Sequence, residues 1–229
     1  MRPKATTDLS NRGAQRVWDL PTRLFHWLLV VLIGFSWWTA KNEEIDLHLW
    51  SGAAILTLLI FRILWGFFGS STARFAGFVR GPHSVLGYIR DTRAWKGVGH
   101  NPLGALSVIA LLVLLVAQVG LGLINSDEDG LVEGFLARHV SVETSEWAHE
   151  WHDILFDVLL VLIALHVAAI LFYRLAGKEL TIPMITGRAV LDPAAEPMRP
   201  AKWWVAAICL GVAIAITRWI IAGAPPFSS

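Results

Sequence analysis

Cysteine is almost missing from the sequence. Cys209 is the single thiol in 229 residues. That excludes an intrachain disulfide, and with it iron–sulfur clusters and cysteine-rich zinc sites supplied by this chain alone. No Cys-x-x-Cys-His run occurs, so haem attached covalently in the usual way is excluded too. Charge is also scarce, at 16% of residues against about 25% for a soluble domain. The charges nearly cancel, at +1, and no basic field calls for nucleic acid. Present instead are apolar residues, 55% of the chain, with twelve tryptophans and eight histidines.

The apolar residues gather into long runs. A bilayer core of about 30 Å needs about 20 apolar residues in a helix. Five stretches reach that length: Leu20–Ala40, His48–Phe68, Leu103–Ile124, Trp151–Tyr173 and Trp203–Ala222. The first has too long an apolar run, after too long a polar lead, for a cleavable signal peptide. Pro21 with Asp19 before it marks a helix start. The fold class expected is therefore an all-α integral membrane protein, with four helices forming a bundle and a fifth at the C-terminal end.

Basic residues resist translocation and mark the cytoplasmic side. They cluster before the first span (Arg2, Lys4, Arg12, Arg16, Arg23), between spans two and three (Arg62, Arg74, Arg80, Arg90, Arg93, Lys96) and between spans four and five (Arg174, Lys178, Arg188, Arg199, Lys202). The opposite side holds only Lys41, Arg138 and Arg218. The expected topology puts the N-terminus inside, in the cytoplasm, and the C-terminus outside. Tryptophans near the span ends form the aromatic belt such a protein carries. The organisation expected is a cytoplasmic segment 1–19, a core 20–175, a cytoplasmic linker 176–201, and a fifth helix with an outer tail 202–229. A short surface helix is expected near Ser84–Trp95, an acidic outer loop over Asn125–Glu146, and an irregular path over Thr181–Pro200.

Ionisable residues inside a span are costly and point to function. His26 lies near the inner end of the first span and His166 near the inner end of the fourth. His48 and His152 lie near the outer ends of the second and fourth. The four histidines thus sort by depth into two pairs. His152 and His166 are 14 residues apart, two heptads, on one face of a supercoiled helix and about 21 Å apart along its axis. Bundle cores take cofactors between ligands from facing helices. Two imidazoles on one iron give a six-coordinate haem suited to electron transfer. The pattern points to two haems, an inner one on His26 and His166 and an outer one on His48 and His152. A bare zinc or copper ion would lack further ligands at either level. His149 is disfavoured because 17 residues separate it from His166, off the shared face. His83, His100 and His139 fall in loops and read as surface histidines.

Arg62 follows His48 by 14 residues and reaches the inner level. It either bonds a propionate or snorkels to the headgroups. Gly52, Gly120 and Gly122 allow close approach, of a macrocycle or of another helix. Asp157 faces away from the histidine stripe; a bond to a neighbouring helix is expected, with a proton relay as the alternative.

Several segments carry a family likeness: Arg-Leu-Phe-His-Trp around His26, Leu-His-Leu-Trp-Ser-Gly around His48, Glu-Trp-His at His152, Leu-His-Val at His166 and Phe-Arg-Ile-Leu-Trp around Arg62. With Val-Trp-Asp-Leu-Pro-Thr at 17–22, Gly-His-Asn-Pro-Leu-Gly at 99–104 and Pro-Met-Ile-Thr-Gly at 183–187, the chain resembles the bacterial cytochrome b561/Ni-hydrogenase b-type cytochrome family over roughly residues 16–190. The resemblance implies a four-helix core with two non-covalent b haems on the same four histidines. It also implies electron transfer between the membrane quinone pool and a partner.

The outer side carries Glu43, Glu44, Asp46, Asp127, Glu128, Asp129, Glu133, Glu143, Glu146, Glu150 and Asp153. Such a face repels superoxide, which some family members oxidise. It favours a basic patch on a periplasmic c-type cytochrome or hydrogenase-like subunit. A superoxide:quinone oxidoreductase and a haem-bearing membrane anchor of a larger complex are the alternatives, and a homo-oligomer is compatible with each. A transporter would want interrupted helices and a polar midplane pocket, and neither is evident. No catalytic residue is assigned.

Overall fold

A computed structural model describes residues 13–92, 95, 97–127, 133–191 and 195–225. The chain begins with β1 (Gln15–Arg16), then α1 (Leu20–Lys41), α2 (Ile45–Phe68), the short α3 (Phe75–Phe78), α4 (Pro82–Arg90) and α5 (Pro102–Ile124). After a 3-10 turn at Ala137–His139 come α6 (Val142–Leu175), the short α7 (Thr181–Thr186), β2 (Arg188–Ala189) and α8 (Trp203–Ile221). Five of these, α1, α2, α5, α6 and α8, are long and apolar enough to cross a membrane. The fold is all-α, and its one described sheet is the two-residue antiparallel pairing of β1 with β2.

The bundle has a basic end, where α1, α5 and α8 begin and α2 and α6 finish, and an acidic end opposite. Arg2, Lys4, Arg12, Arg93, Lys96, Glu128 and Asp129 of the two charged faces lie outside the described residues.

The spans pack as two hairpins. α1 lies along α2 and α5 lies along α6, with α2 also touching α5. Neither α1 nor α2 packs closely along α6, so the hairpins diverge where the histidines face each other. α8 packs on the outside, against α2. Thr57 donates to Thr217 at 3.0 Å across that contact, and Cys209 and Ala213 join the core beside Leu59, Leu112 and Leu159. Much of the rest of each span presents large apolar side chains outward, as a lipid-facing surface does.

Two segments differ from the sequence expectation. The fourth span is a 34-residue helix that starts at Val142, inside what reads as outer loop. Ser141 caps it by accepting from Thr144 N and Glu143 sits in the first turn, signals that start a helix before its apolar part begins. The segment 181–200 is also less irregular than its prolines suggest. Glu179 accepts from Thr181 N at 3.1 Å and α7 follows. Gly187 ends α7 at φ 80°, a left-handed conformation that glycine adopts without steric cost, and its carbonyl then accepts from Val17 N and Trp18 N.

One residue ties the basic end together. Asp19 caps α1 by accepting from Thr22 N at 2.7 Å, and its second oxygen accepts from Trp65 Nε1 at 3.1 Å. Trp65, at the end of α2, is 2% exposed. Asp19→Ala removes a cap and leaves a buried indole N–H unpaired, a combined cost of about 2–4 kcal/mol. Asp19→Asn, which keeps the cap, is expected to lose less. Thermal unfolding of the solubilised protein measures both, and an alanine variant as stable as the parent would contradict the linkage.

Candidate functional site

The structure brings His48 of α2 and His152 of α6 together near the acidic end. Their rings stand perpendicular, at 86°, with centroids 6.2 Å apart. His48 Nδ1 lies 2.9 Å from the Ser36 carbonyl, and His152 Nδ1 lies 3.0 Å from the Gln118 carbonyl. A carbonyl can only accept, so each Nδ1 carries a proton, and in the neutral imidazole Nε2 is then the atom with the lone pair. Gln118 of α5 returns a bond from its side-chain nitrogen to the His152 carbonyl at 2.9 Å. This doubly bonded clamp holds the ring against α5.

Gly122 makes room for that clamp. A Cβ at this position would lie 3.0 Å from the His152 ring. Its smallness therefore serves the imidazole itself. At Gly52 and Gly120 a Cβ would meet nothing within 4 Å. His149 is engaged elsewhere, with Nδ1 2.9 Å from Asn125 Oδ1.

Near the basic end His26 of α1 and His166 of α6 lie within electrostatic range of each other. The His26 ring stands edge-on to Trp27 at 4.9 Å, and its Nδ1 is buried without a hydrogen-bond partner. Arg62 is close by and does not snorkel, being only 2% exposed. Nη1 donates to the Ala73 carbonyl at 3.2 Å. The guanidinium lies over Phe75 at 5.1 Å, Phe78 at 5.9 Å and Phe25 at 6.0 Å. Among the described residues no carboxylate lies within ion-pair distance of it. A guanidinium this enclosed, with Asp19 in electrostatic range but no carboxylate in contact, is suited to an anion from outside the chain.

His100 belongs to this neighbourhood, which its loop position does not announce. The ring is packed between Trp18, at 4.6 Å, and Phe78, at 4.7 Å. Its Nδ1 is buried and unpartnered. Burial, and then Arg62, His166 and His26, push its pKa well below the ordinary histidine value, so the ring is neutral. The sequence reading of His100 as a surface histidine is thus corrected. The signal was the Asn-Pro pair after it, since Asn101 caps α5 and fixes His100 at the mouth of the bundle. His83 and His139 are exposed as expected, and His139 Nε2 meets the Gly223 carbonyl at 3.0 Å.

Among the described residues no three or more His, Cys, Asp or Glu side chains converge to hold a bare metal ion. The couple at 6.2 Å fits a different arrangement. Two metal–nitrogen bonds of about 2 Å each, with roughly 1 Å more to each ring centre, place such rings roughly 6 Å apart. A porphyrin would supply the other ligands.

The profile of prokaryotic cytochrome b561 matches residues 17–187. The chain belongs to the prokaryotic cytochrome b561 family. No curated protein and no solved structure matches it. Membership makes this a bacterial membrane b-type cytochrome and an electron-transfer protein, and α8 is an addition beyond the matched region. The four histidines, Arg62 and His100 all fall within that region.

Asp157 departs from expectation. It is exposed on α6, and among the described residues no hydrogen bond or ion pair joins it to a neighbouring helix. This cytochrome should therefore tolerate Asp157→Asn with thermal stability unchanged or raised, within about 0.5 kcal/mol on the unfavourable side. A marked fall in the unfolding midpoint would show that the carboxylate is bonded after all.

Proposed function

We propose that this cytochrome carries electrons across the membrane through two b haems. They would pass between the quinone pool and a redox partner that docks at the acidic, periplasmic end. The observation that carries the reading is the couple of His48 and His152, perpendicular at 6.2 Å with both Nδ1 protons given to carbonyls. A haem in such a site supplies a one-electron couple with no open coordination position. The chain's own residues do the rest. The carbonyls of Ser36 and Gln118 fix the tautomer and aim of each outer ligand, as outer-shell partners of metal-bound histidines do.

At the inner level His26 and His166 would hold the haem, and Arg62 would neutralise a propionate by a charge-assisted bond. His100 lies beside it as a neutral wall. The basic loops support a cytoplasmic position for this level. The axial rise of about 21 Å between His152 and His166 supports one haem in each leaflet.

The acidic end argues for a basic protein partner, whose approach it accelerates, and against superoxide as the reactant, which it repels. The described acids of that face include Glu43, Glu44, Asp46, Glu133, Glu146 and Asp153.

The purified protein is expected to hold two haems b per chain, both low-spin, by pyridine haemochrome assay and absorbance. His48→Ala or His152→Ala should halve the haem content, with the remaining haem still reducible. One haem in the parent, or loss of both in each variant while the helical circular dichroism is intact, would overturn the pairing. Arg62→Met should lower the midpoint potential of one haem and leave the other in place, because a removed cation no longer favours the reduced state. Reduction by a quinol analogue on the millisecond scale separates electron transfer from a purely structural role. Haems that stay oxidised would leave only an anchor.

A further inference from the structure

At the basic end, on the outer flank of α1, a cleft of about 520 Å³ opens between β1, α1, β2 and the start of α8. Four cations from these four places line it: Arg16, Arg23, Arg188 and Lys202. Asp19 is the one acid in the lining, and both of its oxygens already accept, from Thr22 N and Trp65 Nε1. Among the described residues none of the four cations forms an ion pair. Arg23 donates through Nη1 to the Ile185 carbonyl, while its Nε is buried with no partner at all. The strand pair and the left-handed Gly187 hold this arrangement, since a Cβ at Gly187 would press on Trp18 O at 2.8 Å and Arg23 Nε at 3.1 Å.

We propose that this cleft binds the phosphate headgroup of an anionic membrane lipid. Four unpaired cations around one cavity favour a phosphate, and Arg23 retains an unused donor for one of its oxygens. The depth favours a lipid over free phosphate. The cleft sits where α1 and α8 begin, at the level of headgroups, and its rim includes Leu20, 55% exposed, and Trp203, 82% exposed. These provide apolar surface for the first part of an acyl chain. Basic pockets between transmembrane helices at this level recognise anionic headgroups. A zwitterionic lipid would bring an ammonium group into a region already strongly positive. Bound there, the lipid bridges α8 to α1 at an end where the two helices share no extensive contact.

The test uses the full, haem-loaded chain, delipidated in detergent and examined by native mass spectrometry. It is titrated in parallel with phosphatidylglycerol, phosphatidylcholine and inorganic phosphate. One phosphatidylglycerol per chain is expected to bind well before phosphatidylcholine does. Arg188→Gln with Lys202→Gln should weaken it by about fivefold for each cation removed, with haem content unchanged. Arg23→Gln should weaken it as well. The control Arg80→Gln with Arg90→Gln, which removes the same charge outside the cleft, should leave it unaltered. Equal binding of the two lipids, an equal loss in the control, or displacement of the lipid by inorganic phosphate at matching concentration would each overturn the proposal. Loss of haem in Arg188→Gln/Lys202→Gln would do so too, by assigning these cations to the haem.

Discussion

A histidine inside a bilayer is tolerable when it is neutral, when its N–H is bonded, and when its lone pair has a purpose. The structure meets the second condition at His48 and His152 through backbone carbonyls. Ser36, on the neighbouring helix of the first hairpin, receives the proton of His48. Gln118, on the neighbouring helix of the second, receives that of His152. Each imidazole is thus oriented by its own hairpin partner, and the two rings meet where the hairpins face each other. That division of labour explains why α1 with α2, and α5 with α6, form the close contacts, while α6 stands away from α1 and α2.

The two levels are built differently. The level near the acidic end is organised by polar bonds to His48 and His152. The level near the basic end is organised around an enclosed cation, with Arg62 surrounded by three phenylalanines and His100 held between two aromatic rings. A buried guanidinium with one backbone acceptor and no carboxylate in contact favours an anion beside it. The unpartnered Nδ1 of His26 and of His100 lie at the same end.

The spans and their order were legible because hydropathy over about twenty residues is a strong, local signal, and the meeting of His48 with His152 was legible from their matched depth. Span ends at Leu20, Phe68, Pro102 and Trp203 agree closely with the sequence. The helical extension back to Val142 was not, because its polar residues carry no hydropathy; only the Ser141 cap and Glu143 announce it. The burial of His100 and Arg62 depended on loop residues Trp18, Ala73 and Phe78 folding over the bundle mouth, and such long-range packing has no periodic trace. Gly122 was recognised as a close-approach position, but what approaches it, the His152 ring, emerges only from the α5–α6 register. The β1–β2 pairing that shapes the basic cleft joins residues over 170 positions apart, and two-residue strands leave no pattern to find.

The central claim is that four imidazoles ligate two irons in pairs. Pulsed electron paramagnetic resonance of the oxidised, haem-loaded protein grown on ¹⁵N-histidine counts histidine nitrogens at each iron most directly. The account predicts two distinct low-spin centres, each coupled to two labelled imidazole nitrogens. A centre coupled to one or none, or a single centre in a fully loaded chain, would contradict it.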